Sequence, residues 1–299
     1  MSMRVSTMQI AESSLLGVTQ AYSRFDEAQS KVNTGKQVQK PSDDPSGVAQ
    51  TLGFRERLSE IDQFGRTMDQ ASGFLATSES ALDSVSSLLR QARSLAVQGA
   101  NDSLSMEARQ ALAGQVQNIL TQIGNIGNTS YGARYVFAGQ RTTKPPFAAS
   151  GSSFTYSGGS AATGDADIIL DIGRGESLPI NVTGDKVFTS IFTTLGQLRD
   201  NVANGASDLV SRNDLAALDV EINNVLTVRA DMGAKTQRID LTKQRNEQAK
   251  VNFTKFISNI EDADIPSAVV ELQTAQTAYQ AALQSTARAF QTSLLDFVK

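Results

Sequence analysis

Two adjacent aspartates, Asp43 and Asp44, are the side chains in this sequence best placed to do chemistry. A pair of carboxylates can act as general acid and general base, or it can bind a cation. Here, however, Pro45 follows directly, and an acidic N-cap followed by proline in the first turn is a typical start of a helix. We therefore interpret the pair as a polar turn and a helix cap, and we predict no catalytic residue here.

A second acidic group consists of Glu261, Asp262 and Asp264, and two glycine-containing segments lie at 173–175 and 184–186. The acidic group lacks the alternating ligands and the central glycine of a calcium-binding loop. Neither glycine segment completes the pattern of a phosphate-binding loop between a strand and a helix. We interpret the acidic group as a helix boundary and the glycine segments as turns, so that no metal site and no cofactor are predicted.

The composition of the 299 residues removes most of the remaining catalytic chemistry. There is no Cys and no His, which excludes disulfides, thiolate or imidazole metal ligands, and catalytic triads that use His as base. The net charge of −4 argues against nucleic acid as a partner, because binding to phosphates needs a basic face. No apolar run reaches the length of about eighteen residues that a membrane span needs, so no membrane insertion is predicted. We expect a protein that is not an enzyme.

Several stretches of the sequence repeat apolar residues at alternating steps of three and four, which is the spacing of a helical seam. The first covers residues 8–32 and ends at Gly35, a residue type that readily closes a helix. The second runs over 61–96, and a continuous helix over 45–97 would be about 80 Å long at the helical rise per residue. A further seam over 112–126 is expected to fold back along the second.

The composition changes over residues 133–190, where Gly, Ser, Thr and Pro become frequent. Short β-rich pieces lie at 135–137, 154–156, 168–170 and 179–182, and turn residues separate them. This pattern predicts a small β-rich insertion.

Helical spacing returns from Leu215 on, and a last apolar seam follows Pro266. The order of helices, insertion and helices allows the two ends of the chain to lie side by side. We predict a mainly α fold, an elongated antiparallel helical coiled-coil rod with paired terminal helices and a small inserted β-rich domain. In this prediction an N-terminal assembly helix in 1–44 pairs with a C-terminal one in 261–299. The rod consists of 45–132 and of the return part 191–260.

The two ends of the chain are poor in charge. Residues 1–23 carry only Arg4 and Glu12, and residues 272–295 carry only Arg288. An ordinary exposed helix keeps a mixture of charges on its outer face, as the segment 229–250 does. We therefore predict that the terminal seams pack among other subunits, whereas the seams of the rod form an intramolecular core. The predicted assembly residues are Met8, Leu15, Val18, Tyr22, Phe25, Val269, Leu272, Tyr279, Leu283, Phe290, Leu294 and Phe297.

Three motifs in the helical arms carry a family resemblance. The first comprises residues 31–36 and the following 41–47, the second is 229–238, and the third is the acidic step 261–265. In this order they resemble the signatures of the flagellin family, with Gln237 at a position where the family usually has Asn. The signature positions are Gly35, Asp43, Asp44, Pro45, Arg229, Gly233, Ala234 and Arg238.

A second set of motifs, at 3–8, 135–139, 145–147 and 293–297, resembles the family members that join the flagellar hook to the filament. This resemblance implies an extracellular structural adaptor that forms a ring of like subunits, a homo-oligomer, between a neighbouring hook-associated protein and flagellin. It also implies export by the flagellar type III pathway, without a cleaved signal peptide, with the help of a cytoplasmic export chaperone. The alternatives are a filament subunit of the same family and a non-flagellar coiled-coil or phage-tail structural protein.

Overall fold

The computed structural model describes residues 7–297 of the chain, and its side-chain description covers residues 9 and 12–288. Seven α-helices and six short strands occur in this part. The helices are α1 (Thr7–Thr34), α2 (Pro45–Gly99), α3 (Met106–Gly127), α4 (Gly184–Ala203), the short α5 (Ser207–Leu209), α6 (Leu215–Glu261) and α7 (Ile265–Phe297). The strands are β1 (Ser130–Tyr131), β2 (Arg134–Tyr135), β3 (Phe147–Ser150), β4 (Ser153–Tyr156), β5 (Ile169–Gly173) and β6 (Glu176–Pro179).

The chain divides into two compact units. One, which we call the terminal unit, consists of the residues up to 59 and from 249 on. The other, the central unit, consists of residues 60–248. The predicted mainly α fold with paired terminal helices and a β-rich insertion is confirmed. None of the helices in the described part of the chain is long and apolar enough to cross a membrane.

The core of the central unit lies along the apolar seams. The α2 seam from Met68 to Ala96 is buried, and it packs in one cluster with α3, α4 and α6. Ser78, the polar residue that interrupts this seam, is fully buried and donates its hydroxyl hydrogen to the Phe74 carbonyl at 2.9 Å. The donor is therefore satisfied inside the helix, which removes most of the cost of burying it. The predicted intramolecular core of the rod is confirmed.

Helix α4 begins inside the predicted β-rich insertion and continues into the predicted return part of the rod, so that the interpretation of 184–186 as a turn is wrong. Gly184 is the first residue of this helix, which buries Phe188, Ile191 and Leu195 on one face. A Cβ atom at Gly184 would lie 2.7 Å from the Phe147 ring. Glycine is therefore used here because it lets the start of α4 lie close to the Phe147 ring.

The insertion contains three antiparallel hairpins, β1–β2, β3–β4 and β5–β6, in the part of the chain that the structure describes. The predicted strand at 135–137 is mostly wrong, because β2 ends at Tyr135. Phe137 instead lies fully buried with its ring 4.9 Å from that of Phe188 on α4. The insertion thus covers α4 with aromatic side chains, among them Phe137 and Phe147.

The terminal unit is built differently. Helices α1 and α7 pair through aromatic contacts, with the Tyr279 ring 5.6 Å from Tyr22 and 6.0 Å from Phe25. Among the described side chains of this unit, the buried apolar ones are only those of Ala28 and Ala268. The terminal helices therefore have almost no apolar core of their own.

Candidate assembly site

The loop between α1 and α2 holds the N-terminal and C-terminal segments of the terminal unit together by hydrogen bonds. Gly35 ends α1 in the left-handed region, with φ +67°, where glycine carries no steric penalty. The loop is then held to the junction of α6 and α7 by backbone hydrogen bonds. The Gln37 amide donates to the Glu261 carbonyl at 2.7 Å, and the Ala263 amide donates to the Gly35 carbonyl at 2.8 Å. Two of the three family motifs thus contact each other.

Asp43 and Asp44 are both used as local caps. Asp44 accepts hydrogen bonds from the backbone amides of Gly47, at 2.9 Å, and Ser46, at 3.1 Å, which confirms it as the cap of α2. Asp43 accepts from the backbone amide of Lys40 at 2.9 Å. The Lys40 amide lowers the pKa of Asp43, and the Gly47 amide lowers the pKa of Asp44. Both aspartates are therefore structural acceptors in their ionised form.

Gly47 allows the capped turn to lie close to α6. A Cβ atom here would overlap the Asp44 carboxylate and would lie 2.9 Å from the Ile260 side chain. We expect Gly47→Ala to destabilise the terminal unit by about 1–3 kcal/mol, the usual effect of overpacking. Gly53→Ala on the same helix meets no atom within 4 Å and should instead gain up to about 1 kcal/mol of helix propensity. Amide hydrogen exchange over residues 36–60 measures the stability of both variants. Equal exchange rates in Gly47→Ala and Gly53→Ala would show that the site does not require glycine at position 47.

A buried carboxylate anchors the loop from the other side. Glu261 lies at the end of α6 and is only 6% exposed. It accepts hydrogen bonds from Lys36 Nζ at 2.8 Å and from Arg55 Nη2 at 2.8 Å. The Lys36 hydrogen bond is the main cause that lowers the pKa of Glu261, and the same bond raises the pKa of Lys36. One carboxylate thus joins the loop, α2 and α6.

This anchor predicts a pH dependence. Because the pKa of Glu261 is lowered in the folded chain, its contribution to stability is present above the unfolded pKa of about 4.3 and is lost as the pH falls through the folded value. The melting temperature of the wild type should therefore exceed that of Glu261→Gln at pH 7, and this difference should shrink below about pH 4. Glu56→Gln, which removes an exposed carboxylate on α2, serves as control. A difference that stays constant with pH would contradict the anchor.

The predicted assembly residues fall into two groups where side chains are described. Leu15, Tyr22, Val269 and Leu283 are exposed in spite of being large and apolar. Val18, Phe25, Leu272 and Tyr279 are partly buried, and the rings of Phe25 and Tyr279 stack between α1 and α7. The side chains of Met8, Phe290, Leu294 and Phe297 lie outside the described residues.

Further exposed apolar residues of the terminal unit were not predicted. Leu16 and Val270 lie beside predicted residues, and their exposure follows from helical geometry, because neighbouring positions differ by about 100° around the axis. Val251 and Phe256 on α6 had no clear sequence signal, since they follow a stretch whose seam positions are polar. Leu52, Val251, Phe256 and Ile265 extend the exposed apolar surface beyond α1 and α7.

The signature residues of α6 belong to the central unit and are not part of the anchored loop. Arg229 contacts Glu79 at 2.6 Å and Asp83 at 2.9 Å, and the hydrogen bond to Glu79 raises the pKa of Arg229. Arg238 contacts Glu176 on β6 at 3.0 Å. The charged face over 229–250 is largely exposed, and its basic residues also tie α6 to α2 and to a hairpin. Gly233 and Ala234 are exposed.

Within the described part of the chain, no cluster of three or more acidic, His or Cys side chains could hold a metal ion. Two residues of the acidic group, Glu261 and Asp262, take part in other contacts. Asp262, for example, accepts a hydrogen bond from Ser258 at 2.6 Å and lies 3.4 Å from Lys36 Nζ.

Comparison with known proteins gives a consistent set of relatives. The helical region of bacterial flagellin matches at both ends, its N-terminal part over residues 5–142 and its C-terminal part over 215–298. Flagellar hook-associated protein 3 of Escherichia coli is 27% identical over 95% of this chain and 96% of its own length. The protein of the same name from Salmonella typhimurium is 26% identical, with the same coverage. The structure of flagellar hook associated protein-3 from Legionella pneumophila superposes with a TM-score of 0.63 at 16% identity, over 69% of this chain and 98% of that one.

Proposed function

Because this chain belongs to the flagellin family, we propose that it is the structural subunit that joins the flagellar hook to the flagellin filament. Its relatives over nearly the full length of both chains bear the name flagellar hook-associated protein 3. In this role the chain assembles through its terminal helices and acts as an adaptor without catalysis.

The single observation that carries the proposal is the contrast between the two units. The central unit has a large buried apolar core, although it also exposes single apolar side chains such as Leu226 and Leu241. The described part of the terminal unit has almost no buried apolar side chain and exposes Leu15, Leu16, Tyr22, Val270 and Leu283. Exposed apolar surface of this extent marks a site of protein association, because burying it releases about 25 cal/mol per Å². The charge-poor stretches 7–23 of α1 and 272–295 of α7 add to this, since uncharged helix surface can be buried without desolvating ions.

The proposed partners follow from this role. Like subunits form a ring, a neighbouring hook-associated protein contacts the ring on the hook side, and flagellin contacts it on the filament side. The chain reaches the outside of the cell through the flagellar type III pathway, without a cleaved signal peptide, and a cytoplasmic export chaperone covers the terminal helices beforehand. Such a chaperone would shield the apolar surface that the monomer exposes.

A filament subunit is the second candidate, because the family models that match this chain are those of flagellin itself. The two roles differ in where the protein lies and in how much of it each flagellum contains. An adaptor is confined to the hook–filament joint, whereas a filament subunit is distributed along the whole filament.

The test is a deletion strain complemented with a chain that carries an epitope tag in the exposed turn 161–164. Electron microscopy of the deletion strain should show hooks without filaments, with flagellin released into the medium. In the complemented strain the immunogold label should be confined to the joint. Label along the filament would identify a filament subunit, and intact filaments in the deletion strain would reject the proposed function.

A further inference from the structure

The anchored loop and the first turns of α2 border a groove of about 530 Å³ within the terminal unit. Leu52 is exposed in it although it is a large apolar residue, and Val38 and Val48 are only partly buried. This unit has almost no apolar core of its own. An exposed apolar groove on it therefore indicates a site where apolar side chains of a partner bind. The apolar lining consists of Val38, Pro41, Val48 and Leu52.

The border of the groove is basic, and one of its charges lies outside the ion pairs of Glu261. Lys36 and Arg55 contact Glu261. Lys40, by contrast, uses its backbone amide to bind Asp43, and its ammonium group forms no ion pair among the described residues. The Lys40 charge attracts the nearby Asp43 carboxylate and helps to lower the pKa of that group. The groove therefore presents apolar surface beside a lysine without a close ion pair, which suits a segment with apolar side chains beside a carboxylate.

The same chain carries a segment of this composition at the start of α7. Ile265, Val269 and Val270 are exposed on the first two turns of this helix. Asp264 directly precedes them, is exposed, and its carboxylate forms no ion pair or hydrogen bond among the described residues. The segment 264–270 thus has an unused negative charge beside exposed apolar side chains, the complement of the groove.

We infer that the segment 264–270 of one copy binds in the groove of the next copy, with Asp264 against Lys40 and with Ile265 and Val269 against the apolar lining. The two surfaces are different patches of one chain, so the contact is heterologous, and such contacts repeat around a ring or along a helical array. The inference rests on the proposed function and specifies which surfaces adjacent subunits use. The opposite charges set the register, and the apolar contact supplies most of the affinity.

Charge reversal tests this pairing in the complemented deletion strain. Lys40→Glu and Asp264→Lys should each reduce the amount of chain retained in purified hook–filament preparations by about fivefold, because attraction becomes repulsion at every subunit contact. The double variant restores opposite charges and should recover to within about twofold of the wild type. Lys144→Glu, an exposed lysine in the central unit without an ion pair among the described residues, is the matched control. Single variants that behave like this control, or a double variant no better than the singles, would overturn the inference.

Cross-linking gives a second readout that does not depend on these charges. Because the chain has no Cys, Leu52→Cys and Val269→Cys introduce the only two thiols. Oxidised flagella carrying both changes should yield covalent dimers and larger oligomers on a non-reducing gel, whereas each single variant should stay monomeric. If flagella of the double variant carried filaments but yielded only monomers on the gel, the pairing would be rejected and the proposed function would stand. If the wild-type chain were absent from the hook–filament joint, both would be rejected.

Discussion

A Leu283→Asp chain is expected to fold and to be secreted like the wild type, yet to leave hooks without filaments. Leu283 is 42% exposed in the single chain, so an aspartate there remains partly hydrated and costs little. If neighbouring subunits cover α7, the same carboxylate must be buried without a partner, at a cost of several kcal/mol. Cells should therefore shed flagellin into the medium and lose motility.

The matched control is Leu226→Asp on α6, because Leu226 is 43% exposed but belongs to the central unit. This variant should retain filaments. Normal filaments on Leu283→Asp cells would contradict burial of α7 in the assembly. A Leu283→Asp monomer that melts well below the wild type would instead place Leu283 in an intramolecular core.

Leu82→Ala is expected to destabilise the central unit by about 2–5 kcal/mol, the usual effect of a cavity in a packed core. Leu82 is fully buried on α2, in the cluster that also includes α3, α4 and α6. Urea unfolding of the full chain, followed by helical circular dichroism, measures the loss as a shift of the central unit's transition. Leu241→Ala removes an equal volume from an exposed site on α6 and serves as control. A loss of unfolding free energy below about 0.5 kcal/mol, the level of surface substitutions, would show that Leu82 is not part of the core.

The helical seams could be predicted from the sequence because each burial follows from the spacing of apolar residues along one helix. The seam from Met68 to Ala96 and the return seam through Val225 and Ile239 are buried as their spacing indicates. The cap at Asp44 was equally predictable, since its hydrogen bonds are to residues two and three positions ahead. The local sequence is sufficient to predict burial that follows helical spacing and hydrogen bonds between residues close in sequence.

Helix α4 and the anchor at Glu261 depend on contacts that are distant in sequence. Gly184 was interpreted as a turn residue, and only its packing against Phe147 explains glycine at a helix start. Arg55 and Glu261 are separated by 206 positions, and nothing in the local sequence of Arg55 indicates an ion pair. The acidic step at 261–265 and the lysine of the first motif were noted from the sequence, but their contact could come only from the fold.

The assembly residues remain a prediction, and their exposure has a physical reason that the sequence already indicates. Helices with one apolar stripe and few charges gain little by pairing with a single neighbour, because two helices can bury only part of each stripe. Leu15 and Leu283 are exposed for this reason. Most of the stability of a helix in a protein comes from packing of its apolar face, so that assembly and ordering of the arms are expected to be coupled.

Amide hydrogen exchange of the helices α1 and α7, measured on the free chain and on the chain in purified hook–filament preparations, tests this account most directly. We predict fast exchange in both arms of the free chain, strong protection of both arms after assembly, and protection of the central unit in both states. This result would show that the terminal helices gain their stability from neighbouring subunits. Strong protection of both arms in the free chain, unchanged on assembly, would contradict the account.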